Sequence, residues 1–108
     1  MQILKTWASR SEFKYTGSVK VGTEIFYGKG FKYRVKVTSD HYSVLIEQFS
    51  GNTVDIGTSR DNPPIGSLGV WLQNNITRTA IASYLGPILI REGYAERIGR
   101  FQIKINKP

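Results

Sequence analysis

Residues 66–105 read GSLGVWLQNNITRTAIASYLGPILIREGYAERIGRFQIKI and decide the fold of the C-terminal part of the chain. Within this stretch, apolar residues recur from Ile81 to Leu89 at positions i, i+3, i+4, i+7 and i+8. That spacing is typical of an amphipathic helix. Thr77 is the predicted N-cap, because its hydroxyl can accept from an otherwise unpaired backbone N–H. Gly93 is the residue expected just after the helix ends.

Pro87 lies inside this predicted helix. Proline has no N–H, and its ring clashes with the carbonyl of the residue four positions earlier, here Ser83. Two alternatives follow: one helix with a kink, or two segments over residues 77–85 and 87–92. The apolar stripe keeps its phase across the proline, which favours the kink.

A shorter helix is predicted upstream, over residues 67–74. Leu68, Trp71 and Leu72 fall on one face of it at the spacing i, i+3, i+4. The join to Thr77 is then two or three residues long, which is the length that a helix-turn-helix requires.

Residues 94–105 alternate and predict a β-hairpin. Gly99-Arg100 is a candidate two-residue turn with glycine first, which pairs Ile98 with Phe101. In that register one face is apolar, with Glu96 as the exception: Tyr94, Ile98, Phe101, Ile103 and Ile105. The other face combines Ala95 with three polar residues: Arg97, Gln102 and Lys104. The hairpin is therefore expected to have one buried side and one mostly cationic side.

Helix, turn, helix and basic hairpin together resemble a winged helix-turn-helix. The resemblance is carried by TRTAIASYLGPILIREGYAERIGRFQIKI, residues 77–105, about a third of the chain. REGY, then ER-x-GR, then an alternating strand is similar to the end of a recognition helix that runs into a wing. The resemblance implies that early residues of the second helix approach base edges, while the wing follows the nucleic-acid backbone.

The N-terminal part of the chain is predicted to be β. Residues 31–37, FKYRVKV, alternate strictly, so the aromatic and valine side chains share one face and the cationic ones the other. Residues 24–27, 42–49 and 53–56 are interpreted as further strands. These form a meander of antiparallel strands, curled into a small barrel-like sheet. The predicted class is α+β, with a β-rich half over residues 1–57 in a single domain.

Composition limits the function. The 108 residues carry fifteen Lys and Arg against eight Asp and Glu, a net charge of +7, and no cysteine. The charge favours phosphate polyanions as partners. Without cysteine there is neither a disulfide nor a cysteine–metal site. No apolar run reaches the roughly 20 residues of a membrane helix, and no signal-peptide pattern is present. We expect a cytoplasmic protein that does not enter membranes.

Three groups of residues are candidate nucleic-acid contacts. They are Lys32, Arg34 and Lys36 on the alternating strand; Arg78, Thr79 and Ser83 at the start of the second helix; and Arg91, Arg97, Arg100, Gln102 and Lys104 on or beside the hairpin. Arginine can be bidentate to guanine, and cations hold phosphates. Each group is alternatively a solvated face without a ligand. Aromatic residues interleaved with lysine, as in residues 13–15 and 31–34, can also stack on unpaired bases.

The favoured hypothesis is a non-enzymatic protein without a cofactor that binds nucleic acid through the C-terminal helix and hairpin, with duplex DNA as the expected ligand and DNA favoured over RNA. One alternative is a protein-interaction or assembly module of a phage or mobile-element system, with Trp71 and Tyr94 at its interface and a homodimer as one form. Another is a small ribonuclease-type toxin built on Asp40 and His41. No nucleophile and no metal-ligand spacing accompany that pair.

Overall fold

The computed structural model describes residues 1–107 as an α+β fold, the predicted class. The strands are β1 (Gln2–Lys5), β2 (Glu12–Ser18), β3 (Gly22–Tyr27), β4 (Tyr33–Thr38), β5 (Thr53–Asp55), β6 (Ala95–Ile98) and β7 (Gln102–Ile105). The helices are α1 (Ser39–Phe49), α2 (Leu68–Asn75) and α3 (Ala82–Arg91), and a 3₁₀ turn over Lys29–Phe31 joins β3 to β4.

The first sheet is an antiparallel meander in the order β1-β2-β3-β4. Alternation along its strands places Phe13, Tyr15, Ile25 and Val37 in the core. The meander prediction is thus confirmed for residues 24–27 and 33–37, but the sheet grows towards the N-terminus rather than towards residue 56. β1 and β4 are its two edges.

The strand predicted over residues 42–49 is wrong, because this segment is helix α1. Thr38 accepts from the backbone N–H of His41 at 3.1 Å, and the imidazole Nδ1 of His41 accepts from the N–H of Thr38 at 3.2 Å. This reciprocal cap starts the helix at Ser39. Tyr42, Leu45 and Phe49 then point into the core at helical spacing.

β5 is a strand, as predicted, but it does not continue the meander. It pairs with β7 in a second antiparallel sheet of order β5-β7-β6. The hairpin of β6 and β7 therefore has a further strand on one side. The loop between β5 and α2 contains Ile65, an apolar residue that is fully exposed.

The hairpin itself is confirmed, but its predicted register is wrong by one residue. Ile98 pairs with Gln102, not with Phe101, and the loop is the three residues from Gly99 to Phe101. Gly99, the first residue of this loop, adopts φ +73, a left-handed conformation that glycine reaches without steric cost. Because a one-residue slip exchanges the two faces of a strand, Arg97 lies on the side of Ile103, while Ile98 and Phe101 are exposed.

Helix α2 is present, with bounds one residue later than predicted. Ser67 is its N-cap and accepts from the N–H of Val70 at 3.2 Å. The predicted N-cap role of Thr77 is wrong. The N–H groups of Ile76 and Thr77 both donate to Leu72 and end α2, and α3 starts only at Ala82, after a longer connection than a helix-turn-helix turn.

Helix α3 continues through Pro87 without a break. The proline leaves the Ser83 carbonyl without its helical donor. The backbone N–H of Trp7 donates to that carbonyl at 3.0 Å instead. Trp7 also packs against bare helix backbone, since a Cβ at Gly86 would lie 2.8 Å from its ring. The segment after β1 is thereby held against α3.

One buried core joins the inner faces of both sheets to the three helices. Its largest members include Tyr15, Tyr42, Leu85, Leu89 and Ile103, each with at most 1% of its surface exposed. The outer face of the first sheet is the side opposite this core. Among the described residues, no helix has the length and apolar character needed to cross a membrane.

Candidate nucleic-acid interface

The outer face of the first sheet carries aromatic and cationic side chains in register. The strand pairing places Ile3 beside Lys14, Lys14 beside Phe26, and Phe26 beside Arg34, so that these four form one row across all four strands. The next row joins Thr16, Glu24 and Lys36. Neighbours in such rows are close enough for their side chains to act together on one ligand.

The aromatic residues of this face are not part of the interior. Phe26 and Phe31 are half-buried, yet they belong neither to the core nor to the apolar side chains packed against it. The ammonium group of Lys14 lies 4.4 Å from the centre of the Phe31 ring, within cation–π distance. Ile3 is 55% exposed in the same row. The face thus presents apolar surface flanked by positive charge.

Most cations of the chain have no carboxylate partner. Within residues 1–107, one side-chain ion pair forms, between Arg34 and Glu24 at 3.7 Å, and the Arg34 side chain is 71% exposed. An exposed pair of this length contributes little to stability. Lys14 and Lys36 are not in ion pairs. Their charges are therefore available to an anion.

A hollow marks one end of the outer face. It has a volume of about 400 Å³ and is lined by Thr16, Glu24 and Lys36, with the exposed Val21 and the start of α1 at its rim. The face is consequently not flat, and a chain-like ligand crossing the rows could enter this hollow beside Lys36.

A second cationic cluster lies where the hairpin loop meets the segment after β1. A cleft of about 530 Å³ brings together Arg10, Arg97 and Arg100 with Trp7 and Phe101. Arg97 stacks on Trp7, its guanidinium carbon 4.0 Å from the ring centre. We call this the arginine cleft.

Arg97 is hydrogen-bonded to the backbone on two sides. Its Nε donates to the carbonyl of Gly99 at 2.9 Å, and its Nη1 donates to the carbonyl of Trp7 at 2.9 Å. The indole N–H of Trp7 in turn donates to the carbonyl of Arg100 at 2.7 Å. These bonds fix the hairpin loop to the segment after β1, a role that phosphate binding alone would not require.

The remaining C-terminal candidates do not gather at one place. Lys104 and Gln102 lie on the outer face of the second sheet, where Gln102 contacts Asp55 at 3.4 Å. Arg91 donates to the side chain of Gln2 at 3.1 Å and lines a shallow cleft with Arg97. Arg78 and Thr79 lie in the loop between α2 and α3, not on a helix as predicted.

Ser83 is in α3 but half-buried, with its carbonyl bound to Trp7. The three strand candidates lie on or beside the outer face: Lys32, Arg34 and Lys36 are all exposed. Lys32 is 5.1 Å from the centre of the Tyr33 ring. The structure thus joins Arg34 and Lys36 to one surface, and Arg97 and Arg100 to another.

Several residues of these surfaces were not among the predicted contacts: Lys14, Phe26, Arg10, Trp7 and Phe101. The alternation of residues 12–16 contains the signal for Lys14, because it separates buried Phe13 and Tyr15 from their neighbours. No local pattern brings Arg10 to Arg100, since the fold alone joins positions so distant in sequence.

The groups proposed for catalysis or assembly have structural contacts. His41 is half-buried in the cap of α1 through its Nδ1 atom. Trp71 packs edge-on against Phe49, with ring centres 6.2 Å apart, and Tyr94 lines a shallow groove beside α1. Among residues 1–107, no cluster of three or more His, Cys, Asp or Glu residues has the geometry of a metal site.

Glu92 makes two hydrogen bonds to the first sheet and the turn that follows β2. Its carboxylate accepts from the Tyr15 hydroxyl at 2.7 Å and from the backbone N–H of Val19 at 2.9 Å. Burial, followed by the hydrogen bond to Glu92, raises the pKa of Tyr15 to about 12. Glu92 therefore holds the end of α3 to the first sheet and is not a partner for the arginines.

Comparison with known protein families, with curated proteins and with solved structures finds no match to this chain.

Proposed function

We propose that this protein binds single-stranded nucleic acid on the outer face of its first sheet. The observation that carries the proposal is the row in which Phe26 lies between Lys14 and Arg34, on a face that the core does not use. Aromatic rings on an open sheet stack on unpaired bases, and neighbouring cations hold the phosphates.

Charge supports the same conclusion. The chain carries a net +7, and its outer-face lysines lack carboxylate partners. Such cations exchange condensed counterions for contacts with phosphates, so affinity depends on salt. Stacking and phosphate contacts accept either RNA or single-stranded DNA, because both present base faces and phosphates.

Duplex binding through the C-terminal module is the second candidate. It is supported by the convergence of Arg97 and Arg100 with Arg10 at the hairpin loop. It requires Arg78 to act from a loop, while Gln102 and Lys104 lie on the outer face of the second sheet, outside the arginine cleft. The outer face of the first sheet gathers its cations and an aromatic ring on one surface, and we therefore place it first.

The test is a binding titration with two matched charge variants. One replaces Lys14, Arg34 and Lys36 with Gln; the other replaces Arg78, Arg91 and Lys104 with Gln. Both lose three positive charges. Fluorescence anisotropy would be measured with single-stranded RNA, single-stranded DNA and duplex DNA at two salt concentrations, after thermal unfolding shows that each variant is folded.

We expect the outer-face variant to bind single strands more weakly and to reduce the salt slope by about 2, since each phosphate contact contributes about 0.7 on single strands. Phe26→Leu should weaken the binding of single strands without changing the salt slope, because it removes stacking but no charge. Equal loss in both charge variants would contradict the outer-face proposal. Loss of duplex binding in the second variant alone would establish the C-terminal mode instead.

A further inference from the structure

The arginine cleft has the composition of an anion site. Arg10, Arg97 and Arg100 converge on it, and no carboxylate lies among its lining residues. Asp55 lines an adjoining cleft, where its carboxylate lies 3.4 Å from the Gln102 amide nitrogen. Like charges brought together without a counter-charge repel one another, and a bound anion removes that cost.

Arg97 provides a fixed binding group in this cleft. Its Nε–H and one N–H on Nη1 are bonded to the carbonyls of Gly99 and Trp7, and Nη2 lies 3.5 Å from the carbonyl of Arg100. A guanidinium has five N–H donors. One N–H on each terminal nitrogen is therefore left, and the stack on Trp7 holds their direction. The guanidinium is planar, and its terminal nitrogens suit the oxygens of a phosphate.

The walls of the cleft are also held in place. The carbonyl of Arg100 accepts from the Trp7 indole, and the carbonyl of Phe101 accepts from the N–H of Ile56 at 2.8 Å. Across the cleft, the Thr6 N–H bonds to the carbonyl of Ser11 at 2.9 Å and closes the loop that carries Arg10. Little ordering is then needed when a ligand binds.

Phe101 provides the apolar wall. It is 68% exposed at the edge of the cleft, although its backbone is fixed. An exposed ring beside three guanidinium groups suits a ligand that combines a flat ring with a phosphate. Nucleotides have this combination of groups.

We propose that the arginine cleft binds the phosphomonoester of a nucleotide, with the phosphate between Arg97, Arg10 and Arg100 and the base against Phe101. The phosphate has two sources, a free mononucleotide and the terminal phosphate of a strand. The cleft is distinct from the outer face, and the proposal does not depend on strand binding there.

The experiment uses the full chain and measures binding by calorimetry and amide chemical shifts. The ligands are inorganic phosphate, adenosine monophosphate, adenosine, and one oligonucleotide with and without a 5′-phosphate. The double variant Arg10→Gln, Arg100→Gln removes two cleft cations. The matched control replaces Arg60 and Arg78 with Gln, which removes equal charge from loops outside the cleft. Arg97 is left unchanged because its loss would disturb the fold.

Saturable binding of adenosine monophosphate, with shifts at the loop over residues 99–101, is the expected result. The cleft double variant should weaken it at least tenfold, since each charge-assisted hydrogen bond contributes about that much. The control should change it less than twofold. Phe101→Leu should weaken the binding of the nucleotide but not the binding of inorganic phosphate. A preference for the 5′-phosphorylated oligonucleotide identifies the strand end as the source, and no such preference identifies the free nucleotide.

Absence of saturable phosphate and nucleotide binding would overturn the proposal, as would equal losses in the cleft variant and the control. Equal binding of adenosine and its monophosphate would also overturn it. The outer-face variant with Lys14, Arg34 and Lys36 replaced should bind adenosine monophosphate normally. If the outer-face proposal fails while this binding persists, the two sites are separated.

Discussion

Two arginines on alternating strands serve different purposes in this fold. Arg34, on the outer face of the first sheet, extends into solvent with one weak ion pair. Arg97, on β6, lies over the Trp7 ring and donates to the backbone carbonyls of Gly99 and Trp7. A cationic residue on an alternating strand is therefore available to a ligand or bonded within the protein according to which groups pack against its face of the sheet. Sequence alternation identifies the face but not its neighbour.

The largest expected effect comes from the aromatic residues of these two regions. Trp7→Ala should lower the free energy of unfolding by about 3–5 kcal/mol, because it empties a buried site and removes the surface that holds Arg97. Phe26→Ala on the outer face should cost no more than about 1 kcal/mol. Urea unfolding measures both values. Similar losses of stability for the two variants would show that Phe26 supports the fold as much as Trp7 does.

The second effect is a pH dependence of stability that arises from Tyr15 on the inner face of the first sheet. Burial and Glu92 raise the pKa of Tyr15 to about 12, above its ordinary value of 10. The folded state therefore keeps this proton where the unfolded state loses it. The stabilisation is fully present below pH 10 and is lost as pH rises through 12.

Tyr15→Phe removes this proton and so makes the decline with pH shallower. The difference should be on the order of 2 kcal/mol between pH 9 and 12, measured by denaturant unfolding at each pH. Burial also raises the pKa of Tyr42, so the stability of the variant still falls somewhat as pH rises. Identical profiles for the variant and the parent would show that the contact between Tyr15 and Glu92 does not persist in solution.

The third effect tests the two arginines directly. Arg97→Gln should cost about 2 kcal/mol, because it removes hydrogen bonds to carbonyls and the stack on Trp7. Arg34→Gln should stay within about 0.5 kcal/mol. Thermal unfolding of the two single variants, which carry the same charge change, provides the comparison. If Arg97→Gln were as mild as Arg34→Gln, Arg97 would be as free as the cations of the outer face.

How far the sequence predicts this fold depends on which interactions are local. The strand over residues 33–38 and the helix capped by Ser67 follow from patterns within a few residues. Residues 42–49 satisfy two periods at once. Tyr42, Val44 and Ile46 alternate, whereas the helix is chosen by the cap at Thr38 and by burial of Leu45.

The hairpin register shows a different limit. Gly99-Arg100 fits a two-residue turn, but the three-residue loop is the one compatible with Arg97 bonding to Trp7 and with β5 pairing to β7. The pairing of β5 with β7 connects positions about 50 apart in sequence, and the bond from Arg97 to Trp7 connects positions 90 apart. The arginine cleft has the same origin, so no reading of residues 94–105 alone could find Arg10 in it. The outer face is more accessible to prediction, because alternation assigns Lys14, Arg34 and Lys36 to one side once the strands are known.

The smallest effect on stability carries the sharpest functional contrast. Glu24→Gln removes the one carboxylate of the central rows of the outer face and frees Arg34, at a cost within about 0.5 kcal/mol. Single-strand affinity should nevertheless rise about two- to threefold, since two unit charges about 8 Å apart in water interact by about 0.5 kcal/mol.

Glu96→Gln is the matched control for this variant. It removes the same charge from β6, where Glu96 lies opposite Lys104 in the strand register of the second sheet. A ligand on the first sheet would respond to Glu24→Gln but not to Glu96→Gln, whereas a ligand along the hairpin would respond in the opposite order. Because neither change alters the core, the difference between the two affinities, measured at one salt concentration, reports which of the two basic regions faces the nucleic acid.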